Sequence, residues 1–235
     1  MVENFWNSLA AYNVATWWLQ ILLVLVGMAL TVRLYRKPSK RIKQAMKAYM
    51  IILYSWIAVV YYYIFAQSHP NNLILAIFWG ILAVMWLFDL LTDYTPLERT
   101  EKYSRLSYIM LAIPFIYPLF SIARGQTYPH ITFLVMPCSV AVFTIGILLS
   151  HARRTNLWLI LCLCHWALIG VTKTVIYHLP EDFLLVSSLV PAIYLYAKEY
   201  FFRERNDRAW SNYRFWTLVS LCVIIGMTFY AVYLK

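Results

Sequence analysis

The run Ile131–Ser150, "ITFLVMPCSVAVFTIGILLS", contains no charge, yet a proline and a cysteine stand side by side in its first half. Twenty apolar residues in an α-helix reach about 30 Å, the thickness of a bilayer's hydrocarbon. Whether this run is a membrane span decides the fold, and composition answers. The chain is 63% hydrophobic and 13% charged, with mean hydropathy +0.64, where soluble domains carry about a quarter charged residues. It reads as an integral membrane protein of the all-α class, a polytopic transmembrane helix bundle forming one domain over residues 1–235.

Eight runs have the required length: Val14–Leu34, Ala45–Phe65, Leu73–Leu91, Leu106–Ala123, Ile131–Ser150, Leu157–Tyr177, Phe183–Phe202 and Phe215–Leu234. Cations set their orientation, because Lys and Arg stay on the cytoplasmic side of short loops. Seventeen of the twenty Lys and Arg fall in the segments after spans one, three, five and seven, seven of them between Arg33 and Lys47. Both termini are therefore expected outside, in a multi-pass protein of the plasma membrane. The same distribution argues against nucleic acid as the partner of a +10 chain, since the charges sit at helix ends and not on one folded basic face. Membrane lipids are the expected partners, with contact of the Arg33–Lys47 stretch to anionic headgroups. A homo-oligomer is compatible with the sequence.

Residues 1–13 lack the basic start of a cleavable signal, so "ENFWNSLAAYN" is expected to be a short outer amphipathic segment. Spans one to three and five to seven share a plan of apolar span, basic turn, span with a central Trp, and outer turn with His and Pro. Trp56 with "QSHPNN" parallels Trp166 with "YHLPED", which points to a 4+4 parallel repeat with halves 1–123 and 124–235.

Unusual chemistry concentrates in the second half. Lys173 is a cation inside span six, and a central lysine costs about 3 kcal/mol to insert. Either its stem snorkels to the headgroups, or it faces a hydrated cavity. Cys162, His165, Thr172 and Lys173 lie within one helical arc, a polar stripe that should face the bundle. Glu181 and Asp182 follow Pro180, as start signals of helix seven or as partners for Lys173. Pro137 removes a helix donor and is expected to kink helix five, with Cys138 beside it; Pro114, Pro118 and Pro191 are expected to add further breaks. Asp89 and Asp93 share a face at the end of helix three, read as a solvated turn paired with Arg99, Lys102 and Arg105. All four cysteines lie within spans and are expected to be buried thiols. His165 has no second ligand at helical spacing, and no P-loop, HExxH or GxSxG motif occurs. No metal, cofactor or catalytic residue is assigned.

The stretches "FWNSLAAYNVATWWLQ", "PCSVAVFTIGILL" and "PEDFLLV" resemble a bacterial family of multi-spanning membrane proteins with no assigned function. Its pattern falls here on Tyr12, Asn13, Trp17 and Gln20; on Pro137, Cys138, Phe143, Thr144 and Gly146; and on Glu181 and Asp182. The chain departs from it at Trp18, where the family has proline. The resemblance implies a bacterial inner membrane and supplies no activity. Asn13 and Gln20, seven apart, share a face of helix one. With Cys138, Lys173, Glu181 and Asp182 they are expected around one outer vestibule that binds or transports a small solute or ion. The alternatives are a non-catalytic scaffold or complex subunit packed through small-residue faces, and a membrane enzyme acting on a lipid or thiol through Cys138 or His165.

Overall fold

The computed structural model describes residues 2–68, 71–99, 104–151, 154–176 and 182–201, with 212, 213, 216, 217 and 219. Among them the chain is helical, without a strand. The helices are α1 (Val2–Arg36), α2 (Lys40–Trp56), α3 (Asn72–Thr92), α4 (Ser104–Ala123), α5 (Pro137–His151), α6 (Leu157–Ile176), α7 (Phe183–Ser187) and α8 (Leu189–Phe201). Four helical stretches are long and apolar enough to cross a membrane: Glu3–Arg36, Lys40–Phe65, Asn72–Thr92 and Arg105–Ala123. Span eight lies outside the described residues but for three positions.

Local chemistry explains the boundaries. Pro38 cannot continue α1, and Ser39 caps α2 by accepting the Ile42 N–H at 3.3 Å. α2 runs without a break into a π-helical segment, Ile57–Phe65, whose widened turn directs Tyr61 and Tyr62 into the core. Asp93 ends α3 in the left-handed region, at φ 50°, a conformation that Asp tolerates better than most side chains.

Several sequence expectations are corrected. The amphipathic N-terminal segment is no separate element, because α1 is one helix of 35 residues. Pro114 and Pro118 do not break α4, which continues through both. Pro137 does not kink helix five; it is that helix's first residue, a position where a missing N–H costs nothing. Residues 131–136 are non-helical. Span seven is divided at Ser188 into α7 and α8, with Pro191 in the first turn of α8.

α2 packs along α3, α4 along α5 and α6 along α8, while α1 lies on α2 and the π-helical segment. The centre is aromatic: Tyr54 stacks on Trp79 at 5.1 Å, and Trp79 meets Trp166 edge-on at 5.1 Å, joining α2, α3 and α6. Small residues set the closest approaches. A Cβ on Gly146 of α5 would lie 3.2 Å from Leu111 and Met110 of α4, and one on Gly170 of α6 would lie 3.0 Å from Leu185 of α7.

Candidate functional site

Tyr12, Asn13, Thr16 and Gln20 recur at helical spacing and form a polar stripe on α1, each of them buried. Opposite them runs the irregular segment that precedes α5. Asn13 Nδ2 donates to the carbonyls of Pro129 and Ile131, both at 2.8 Å. The Tyr12 hydroxyl donates to the Val135 carbonyl at 2.7 Å, and Gln20 Oε1 accepts the Val135 N–H at 3.1 Å. Thr16 steadies the stripe by accepting from Gln20 Nε2 at 3.0 Å, and Trp56 of α2 donates its indole N–H to the Tyr12 hydroxyl at 2.9 Å.

These bonds replace the helical partners that residues 129–135 lack. A buried backbone group left unpaired costs about 1–3 kcal/mol, so non-helical backbone needs such a clamp wherever water is excluded. At the far end of the segment Ser139 closes the account: its Oγ donates toward the Leu134 and Met136 carbonyls, at 2.7 and 2.9 Å, and accepts the Met136 N–H at 3.1 Å. That last bond is the reciprocal half of a capping box, with a serine at the third helical position. Ser121 and Thr132 pair at 2.6 Å and tie the same segment to α4. Beneath the clamp is a cavity of about 40 Å³, lined by Leu134, Val135 and Ser139 with residues of α1, α2 and α4.

Asn13 and Gln20 are therefore brought together, at 3.4 Å, and both reach the segment that leads into Pro137 and Cys138. Cys138 is buried and unbridged in the first turn of α5. Asp182, also buried, stands at the head of α7, which packs on both α5 and α6. Thr172 and Lys173 lie on α6, three to four residues from its end; their side chains, and all of Glu181, lie outside the described residues. His165 turns toward α3, edge-on to Phe78 at 5.8 Å. Trp17, which the family resemblance singles out, is half exposed and makes no part of the clamp.

A second polar cluster occupies the opposite end of the bundle; sequence reasoning found its carboxylates, Asp89 and Asp93, but missed their partner. Lys47 of α2 is buried, and its Nζ lies 3.0 Å from Asp89 Oδ2 and 2.5 Å from Asp93 Oδ1. It also donates to the Asp89 carbonyl at 3.2 Å, and Asp89 Oδ1 accepts the Thr95 N–H at 2.7 Å. Asp89 is thus no solvated residue: the cation it pairs with, Lys47, comes from α2, and the following loop supplies only the Thr95 N–H. The hydrogen bond from Lys47 holds the Asp93 carboxyl below its ordinary value. Among the described residues no group of three His, Cys, Asp or Glu could hold a metal ion.

No protein of curated function and no solved structure matches this chain. A family model does: the chain belongs, over residues 2–208, to the family of unknown function DUF6064.

Proposed function

We propose that the chain is a multi-pass integral membrane protein of a bacterial inner membrane, with eight spans and both termini outside. The outer ends of α1, α5, α6 and α7 would enclose a polar site that binds or passes a small solute or ion. The observation that supports this reading is the clamped, non-helical backbone from Pro129 to Met136. Gln20 lies thirteen residues from Arg33, roughly 20 Å along the helix axis, so with Arg33 at the cytoplasmic boundary Val135 sits within the hydrocarbon's outer part. Irregular backbone at that depth is held either within protein or along a water-filled cavity, and the broken helices of transporters use it to build their substrate sites.

In this reading Lys173 supplies the charge, with Thr172 beside it on α6 and His165 turned away toward α3, and Pro137 and Cys138 mark the end of the irregular backbone. Glu181 and Asp182 form an electrostatic gate at the outer mouth. A lysine at the site fits a small anion. The test is uptake of radiolabelled chloride and inorganic phosphate into proteoliposomes holding the purified chain. Uptake of one of them that falls in Lys173→Met supports the proposal; uptake of neither, or uptake unchanged in that variant, overturns it.

A further inference from the structure

On the inner half of α1, Tyr35 holds the helix to α4 through Ser107 at 2.9 Å, while Met28, Val32 and Arg36 are exposed. Tyr49 of α2 reaches under Gly27 and donates to the Leu23 carbonyl at 2.8 Å, a close contact between α1 and α2. Beyond it two grooves open on either side of α1, one of about 460 Å³ toward α4 and one of about 800 Å³ toward the start of α2. Both are of ligand-site size, and they share Met28, Val32 and Arg36.

Their walls divide by chemistry. Leu111, Phe115 and Phe143 make the deep side of the first groove apolar, whereas Arg33, Arg36 and Lys37 crowd the far end of α1. These three cations are exposed, and among the described residues none pairs with a carboxylate. No Asp or Glu lines either groove. Arg99 adds a fourth cation, 5.8 Å above the ring of Tyr35, which lines the first groove. An apolar trough that ends in uncompensated guanidinium groups, with a tyrosine at the boundary, complements a phosphodiester bearing acyl chains.

We propose that the paired grooves flanking the inner half of α1 bind an anionic phospholipid of the cytoplasmic leaflet, its chains along Met28, Val32 and Phe115 and its phosphate on Arg33, Arg36 and Lys37. Basic pockets between transmembrane helices on the cytoplasmic side take such headgroups. This inference rests on the membrane-spanning reading above and is independent of any solute site at the other end.

The test is native mass spectrometry of the full chain, purified in detergent and given equal phosphatidylglycerol and phosphatidylcholine. Preferential retention of phosphatidylglycerol is expected, weakened about 30-fold in Arg33→Gln/Arg36→Gln. It should be unchanged in Lys40→Gln/Arg41→Gln, which loses the same charge outside the grooves, and Lys37→Gln gives a milder second variant. Equal retention of the two lipids overturns the proposal, as does an equal loss in both double variants. Displacement by inorganic phosphate at matching concentration overturns it too, leaving an anion site without a lipid. Retention of the chain in carbonate-washed membranes tests the membrane reading separately.

Discussion

Gln20 accepts the backbone N–H of Val135 at 3.1 Å, across 115 positions of the chain. This one bond ties the middle of the first helix to a segment that has no helix of its own. Removing the acceptor in Gln20→Leu strands a buried N–H and is expected to cost about 1–3 kcal/mol. Asn13→Leu strands two carbonyls and should cost at least as much. Denaturant unfolding in detergent micelles measures both. Because Asn13 and Gln20 share one network, the double variant should lose less than the sum of the singles. Trp17→Leu, outside the clamp, should unfold as the unaltered chain does.

Lys47 and Asp89 are each about 1% exposed, so neither can turn to water when the other is removed. Lys47→Met leaves a buried carboxylate and is expected to cost about 3–5 kcal/mol. Lys47→Met/Asp89→Asn removes both charges and should recover part of that loss. The double-mutant cycle measures the difference; a double variant as unstable as the two singles combined would exclude a paired interaction.

Asp93 gives a pH dependence of defined sign. Its carboxyl titrates below the ordinary 3.8 in the folded chain because Lys47 donates to it, so the folded state holds fewer protons than the unfolded state. The stability it contributes is present above about pH 4 and is lost as pH falls through the lowered folded value. The melting temperatures of the unaltered chain and Asp93→Asn, compared from pH 7 to pH 3, should differ most at neutral pH and converge in acid.

A Cβ on Gly27 would collide with the Tyr49 hydroxyl, so Gly27→Ala forces that ring out of its bond to Leu23. A loss of about 1–3 kcal/mol is expected. Tyr49→Phe removes the obstructing oxygen, and Gly27→Ala/Tyr49→Phe should be more stable than Gly27→Ala alone.

Helices were legible where hydrophobicity continues for about twenty residues: α3, α4 and α6 begin and end within two residues of the apolar runs that predict them. Helix five was not, because residues 131–136 are as apolar as the helix they precede. Only Pro137 marks the boundary, and proline is equally compatible with a kink and with a start. The clamp was half legible. Asn13 and Gln20 share a face by spacing alone, and Tyr12 and Thr16 complete it by the same rule, but nothing local to α1 names residues 129–135 as their partner. Lys47 was hidden for another reason: among six other cations in its stretch it counts as a topology charge, and only packing of α2 on α3 carries it to Asp89.

Water access to the end of α6 tests the proposed outer site most directly. The native cysteines would be replaced by alanine, single cysteines introduced, and intact cells treated with a membrane-impermeant methanethiosulfonate. A hydrated outer cavity predicts rapid labelling of Lys173→Cys and of Gln67→Cys in the loop after the π-helical segment. Val171→Cys, on the exposed face of α6, should stay unlabelled. An unreactive Lys173→Cys beside a reactive Gln67→Cys would contradict the cavity and leave the clamp as a purely structural device.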